Sequence, residues 1–128
     1  MTRATDIPSS FRHVRLLLAR ETGHPEGDQR DGYDLLVPLD GTAHLDPEQW
    51  KQHQDKCRVR RFLSGTNDRI GRLRRKAGGT WYFDYAEGST DDEIGFHLGR
   101  ERFVAGEYVS VNRAGTMHTY QVASVERP

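Results

Sequence analysis

Short runs in which apolar and polar residues alternate, each cut off by a turn signal, constrain the fold of this chain more than any other feature. Trp81, Phe83 and Tyr85 alternate with Tyr82 and Asp84, the period of two that puts one set of side chains on each face of a strand. Val14, Leu16 and Leu18 repeat the pattern in residues 11–20. In residues 57–63, Cys57, Val59, Arg61 and Leu63 face one way and Arg58, Arg60 and Phe62 the other. Further strands are expected over residues 33–39, 69–76, 94–98, 107–111 and 116–125, with a local pairing at 102–104. Asp40-Gly41, Ala77-Gly78-Gly79 and Ala114-Gly115 supply turn chemistry between them. Residues 22–32, rich in Gly and Asp, read as a loop of about ten residues, long for a hairpin connection. Pro38 cannot donate to a ladder, which places it at an edge or a bulge.

One helix stands out. Asp46 is a good N-cap, Pro47 suits the first helical position, and Gln49 completes a capping box. Leu45 and Trp50 have the spacing of a hydrophobic staple. The helix is expected to end near Asp55 or Lys56. The expected fold is therefore mainly β, a small antiparallel barrel or rolled sheet of about seven to nine strands with one short helix. Residues 1–10 read as a flexible N-terminus and residues 11–126 as a single β-rich domain. The chain has 128 residues, 34% hydrophobic, so the core is thin and the surface well solvated. A single cysteine excludes an internal disulfide, and no apolar run approaches the length of a membrane span.

Charge is sorted along the chain although the formal net charge is zero. Residues 56–76 hold nine Lys and Arg against one acidic residue, Asp68. Residues 21–50 hold eight acidic residues and one Arg. A neutral domain can thus still offer a cationic face to a polyanion. Arg58, Arg60, Arg72, Arg74 and Arg75 are candidate phosphate contacts, because a guanidinium donates two parallel hydrogen bonds. Tyr82, opposite in parity to Trp81 and Phe83, is the candidate base-stacking ring, and Phe62 shares a face with Arg58 and Arg60. The competing reading pairs these arginines with the acidic segments 26–34 and 91–93.

Three other constellations carry chemistry on paper. His97 and His118 could converge on neighbouring strands as weak metal or acid–base candidates, with Asp84 or Glu107 nearby; none of the six histidines has zinc-ligand spacing. His53 and Cys57 stand four apart, the minimum for a thiol nucleophile and its base, but Trp50 on the same helix face favours simple packing. No phosphate-cradling glycine motif or calcium loop is present, and no cofactor is expected. A protein-binding surface would expose apolar residues, with Leu36, Val37 and Leu39 beside Pro38 the candidate patch.

Two resemblances rest on particular residues. Gly23-His24-Pro25-Glu26-Gly27, Cys57-Arg58-Val59-Arg60-Arg61-Phe62 and Gly106-Glu107-Tyr108-Val109-Ser110-Val111 together resemble a family of small uncharacterised bacterial proteins with no established function, over nearly the whole chain; the resemblance implies no site. Locally, Phe103-Val104-Ala105-Gly106-Glu107-Tyr108-Val109-Ser110-Val111 is similar to a barrel strand of ferredoxin-reductase-like flavoproteins. That family holds its flavin with an Arg-x-Tyr-Ser stretch, where this chain has His118-Thr119-Tyr120-Gln121, and the resemblance implies barrel grammar without a flavin site. The expected function is a non-catalytic binding or interaction module in the bacterial cytoplasm. Its alternatives are single-stranded nucleic-acid binding and an enzyme or metal site at His97 and His118. Partners expected are nucleic acid, a protein or a small ligand, and no membrane.

Overall fold

The computed structural model describes residues 7–20, 23, 25–85, 93–95 (backbone only), 100–113 and 115–128. Eight antiparallel strands follow one another around a closed barrel: β1 (Phe11–Leu18), β2 (Asp28–Pro38), β3 (Arg58–Leu63), β4 (Arg69–Arg75), β5 (Trp81–Tyr85), β6 (Glu93–Gly95), β7 (Tyr108–Arg113) and β8 (Thr116–Glu126). Each strand pairs with the next, and β8 returns to β1 to close the ring, with Val14 opposite Val125 and Leu18 opposite Tyr120. Among the described residues, β6 and β7 share one register pair, Ile94 with Asn112. Closure removes the free strand edges that an open sheet would have to protect.

Alternation fills the lumen. Val14 and Leu16 on β1, Tyr33, Leu35 and Val37 on β2, Val59 on β3, Leu73 on β4, Phe83 and Tyr85 on β5, and Val109, Val111, Tyr120 and Val122 on β7 and β8 are all buried. The Tyr33 ring packs against Phe83 at 5.2 Å and edge-on against Tyr120 at 5.0 Å. Such pairs add about 0.5–1.5 kcal/mol each beyond the area they bury.

The two ends of the barrel are closed differently. At one end lies α1 (Pro47–Gln52), followed by a 3-10 turn at Gln54–Lys56. Asp46 caps the helix, accepting from the backbone N–H groups of Glu48 and Gln49 at 3.1 and 3.2 Å. The expected reciprocal half of the capping box does not form. The Gln49 side chain accepts from Ser10 Oγ at 2.9 Å, and the Asp46 N–H goes to the Pro38 carbonyl. Trp50 stands edge-on to Trp81 at 5.1 Å and donates its indole N–H to the Leu73 carbonyl at 2.9 Å. The helix ends earlier than expected, at Gln52, because the His53 N–H splits between the Gln49 and Trp50 carbonyls and tightens the chain into the 3-10 turn. Phe103 is a buried plug at this end rather than part of a local strand, with its N–H bonded to the Ala43 carbonyl.

β2 begins at Asp28, five residues before the sequence expectation. The segment 28–32 has loop composition, yet it pairs: Leu18 lies opposite Asp28, and Asp31 and Gly32 oppose Leu63 and Phe62. Pro38 ends β2, where its missing N–H costs the ladder nothing. The second half of the expected strand at 94–98 lies outside the described residues. No described helix is long and apolar enough to cross a membrane.

Candidate functional site

The basic hairpin presents its charges outward, as the period of two requires. On β3, Val59 and Arg61 are buried while Arg58, Arg60 and Phe62 face out; on β4, Gly71 and Leu73 are buried while Ile70, Arg72 and Arg74 face out. On β5, Tyr82 and Asp84 alternate with the buried Trp81, Phe83 and Tyr85. The register sets Arg60 beside Ile70, Arg72 beside Asp84, and Arg74 beside Tyr82. Arg58, Arg72 and Arg74 line one groove with Ile70 and Asp84. Gly71 lets β5 come close beneath it: a Cβ there would stand 2.9 Å from Tyr85 Cα.

Five of the six expected residues therefore share one outer face. Arg75 does not join them. It is opposite Trp81 in the register, on the other parity, and its guanidinium lies over that indole at 5.2 Å beside the helix-capped end.

The partners of these cations differ in kind. Arg60 is held by carboxylates: its Nε donates to Asp34 Oδ2 at 3.0 Å and its Nη1 to Asp68 at 2.7 Å, and the Asp34 contact raises its pKa further. Arg15 on β1 adds a two-point contact to the same Asp34, at 3.0 and 3.1 Å. Asp34 is nearly buried beneath them, with His13 Nε2 at 3.8 Å. Arg74 reaches Asp84 at 3.3 Å. Arg58 and Arg72 instead meet backbone oxygen. Arg58 donates to the carbonyls of Asp55 and Cys57, at 2.5 and 3.0 Å, and Arg72 to that of Asp55 at 3.4 Å. Carbonyl contacts fix a guanidinium in place without cancelling its charge. Tyr82 is half-buried with the Lys76 ammonium 5.3 Å from its ring centre.

Arg15 and Asp34 were not among the sequence candidates. Asp34 was assigned to an acidic segment competing for the arginines; it does hold Arg60, but from a strand, as the cross-strand neighbour of both Arg15 and Arg60. The alternation of His13 and Arg15 against Val14 and Leu16 was the available signal. Residues 91 and 92 of the other acidic segment lie outside the described residues.

A second charged cluster lies inside the barrel, at the end opposite the helix. Arg61 Nη1 meets Asp31 Oδ1 at 2.5 Å, with both side chains 8% exposed. Arg61 also donates to the carbonyls of Gly32 and Phe62 and lies over the Tyr33 ring at 4.9 Å. The Tyr120 hydroxyl donates to Asp31 at 2.9 Å and accepts from Arg113. The carboxylate is thus met by two donors in a site of low polarity, and the cluster closes this end of the lumen with polar side chains.

The remaining candidates separate. Cys57 is fully buried with its thiol directed at the His53 carbonyl at 3.6 Å, and burial pushes its pKa up to about 12. The His53 ring meets Phe11 edge-on at 6.2 Å. This is packing, not an activated thiol. His118 is half-buried on β8, and His97 lies outside the described residues. Among the described residues no group of three or more His, Cys, Asp or Glu is placed to hold a metal. Of the apolar patch expected at Leu36, Val37 and Leu39, only Leu36 is on the outer face, half-buried; Val37 is fully buried and Leu39 is 8% exposed.

Comparison with protein-family models, with curated proteins and with solved structures gives no match to this chain.

Proposed function

We propose that this domain is a non-catalytic binding module whose contact surface is the outer face of β3, β4 and β5, and whose ligand is single-stranded nucleic acid. The observation that carries the reading is the state of Arg58 and Arg72. Both are steadied by backbone carbonyls, neither forms an ion pair with a carboxylate among the described residues, and both line one groove with Arg74. A guanidinium held in this way is set to donate to phosphate oxygens. Tyr82 stands beside Arg74, where a base can stack on its ring while the cation follows the backbone.

The test is binding of labelled single-stranded RNA and DNA to the purified protein at low and physiological salt. Binding that weakens linearly in log salt, and that is lost when Arg72→Glu and Arg74→Glu are combined, is the expected result. Salt-independent binding, or charge reversal without effect, rejects the reading.

A further inference from the structure

We propose that the nucleic-acid surface does not stop at β3 but continues across β2 to β1, so that an extended single strand crosses the barrel wall and stacks a second base on Phe62. This inference rests on the reading above, that the arginine face binds a polyanion.

Three grooves on the outer wall are joined by shared residues. The groove of Arg58, Arg72 and Arg74 shares Arg58 and Ile70 with a second one, which takes in His13, Arg15, Asp34, Leu36 and Arg60. That groove shares Arg15 and Arg60 with a third, which includes Gln29, Arg30, Phe62 and Asp68. The path thus crosses from β5 to β1. Four gaps between adjacent strands make it about 19 Å wide, the extent of several nucleotides rather than one phosphate.

Charge along the path favours a polyanion. The three grooves are lined by six guanidinium groups, Arg15, Arg30, Arg58, Arg60, Arg72 and Arg74, against three carboxylates, Asp34, Asp68 and Asp84. All three carboxylates are already engaged by arginines, and Asp34 is shared by two. Among the side chains, cations are in excess by three (six minus three).

Two outward aromatic rings, Phe62 in the third groove and Tyr82 beside Arg74, favour unpaired bases over a duplex or an acidic peptide. The Arg15 and Arg60 guanidinium groups stand 5.1 and 5.2 Å from the centre of the partly exposed Phe62 ring, and the Lys76 ammonium 5.3 Å from that of Tyr82. Between them the floor is apolar, with Leu36 half-buried and Ile70 51% exposed. A ring flanked by cations is the arrangement that stacks a base while its neighbours take the phosphates.

The experiment measures binding of labelled oligouridine and oligodeoxythymidine, each of about ten nucleotides, alongside the corresponding dinucleotides and polyglutamate. Arg30→Glu and Phe62→Leu are compared with wild type. Arg30 is exposed and leaves the Asp34 cluster undisturbed, so its variant is expected to fold. The expected result is that the long strands bind far more tightly than the dinucleotides. Arg30→Glu lowers the slope of log affinity against log salt by about one. Phe62→Leu weakens the long strand about tenfold without changing that slope. If both variants bind the long strand as wild type does, while Arg72→Glu with Arg74→Glu abolishes binding, the extension is overturned and the β3–β5 surface stands. If polyglutamate binds as well as the oligonucleotides, or if no oligonucleotide binds at low salt, both readings fall.

Discussion

The Phe62 ring lies over the bare backbone of Gly32, its cross-strand neighbour, so closely that a Cβ on Gly32 would stand 2.7 Å from Phe62 Cζ and nearer still to the Leu16 carbonyl oxygen. The ring can spread across the wall only because β2 carries no side chain there. Gly32→Ala is therefore expected to destabilise the fold by about 1–3 kcal/mol, at the upper end because the obstruction is backbone that cannot swing aside. Urea unfolding monitored by tryptophan fluorescence reads the change.

Inside the barrel, Asp31 is the carboxylate on which Arg61 and Tyr120 converge. Asp31→Asn removes the negative charge that faces the buried Arg61 guanidinium and is expected to cost about 3–5 kcal/mol. Tyr120→Phe removes one donor to the carboxylate and is expected to cost about 1–3 kcal/mol. Because both act through the same oxygen, the double variant is expected to lose less than the sum. A full double-mutant cycle by chemical denaturation measures the coupling, and strict additivity would mean the hydroxyl contributes independently of the ion pair.

Cys57 gives a pH dependence of defined sign. The unfolded thiol ionises at about 8.5, whereas burial holds the folded thiol protonated to about 12. Between these values the folded state binds the extra proton, so this group's contribution is complete below the unfolded value and declines as pH rises toward the folded one. Iodoacetamide at pH 8 is expected to label the denatured chain readily and the native chain only as fast as it opens. Rapid labelling of the native protein would contradict the buried thiol.

The turn after β2 gives the opposite sign. Asp40 accepts from the Thr42 hydroxyl and from the Thr42 and His44 N–H groups, which lowers its pKa. Its contribution is present above the unfolded carboxyl value of about 3.9 and is lost as pH falls through the folded one. Asp40→Ala is expected to be less stable than wild type at neutral pH, with the gap closing in acid. In the same turn Ala43 sits at φ 65°, a left-handed conformation that costs a residue with a Cβ about 1–2 kcal/mol. Ala43→Gly is expected to recover about 1 kcal/mol, visible as a higher melting temperature.

Much of this architecture was legible in the chain wherever alternation was clean. Trp81, Phe83 and Tyr85 point inward as their spacing requires, and Asp46 caps the helix it announces. The start of β2 was not legible because Asp28, Asp31 and Gly32 have the composition of a loop. Asp31 enters the lumen only because Arg61, thirty residues later, meets it there, and no local signal carries that pairing. The outer arginines were legible as a face. Which of them are neutralised was not, since that depends on β1 and β2 bringing Arg15 and Asp34 beside Arg60. Arg75 stands apart from the others because it shares the parity of Leu73 and lies opposite Trp81, which clustered charge alone does not show.

Among the described residues, the ring is joined unevenly at its β8–β1 and β6–β7 seams. The β8–β1 closure runs through six register pairs, from His13 with Glu126 to Leu18 with Tyr120, whereas the described residues of β6 meet β7 at one. A ring that lost β6 would become an open sheet with β5 and β7 as its margins. β5 then offers an unsatisfied row of N–H and C=O groups beside Trp81, Phe83 and Tyr85, a template on which a second chain can pair. The strand that carries Tyr82 on its outer face is thus one that the closed ring keeps from pairing with a second chain.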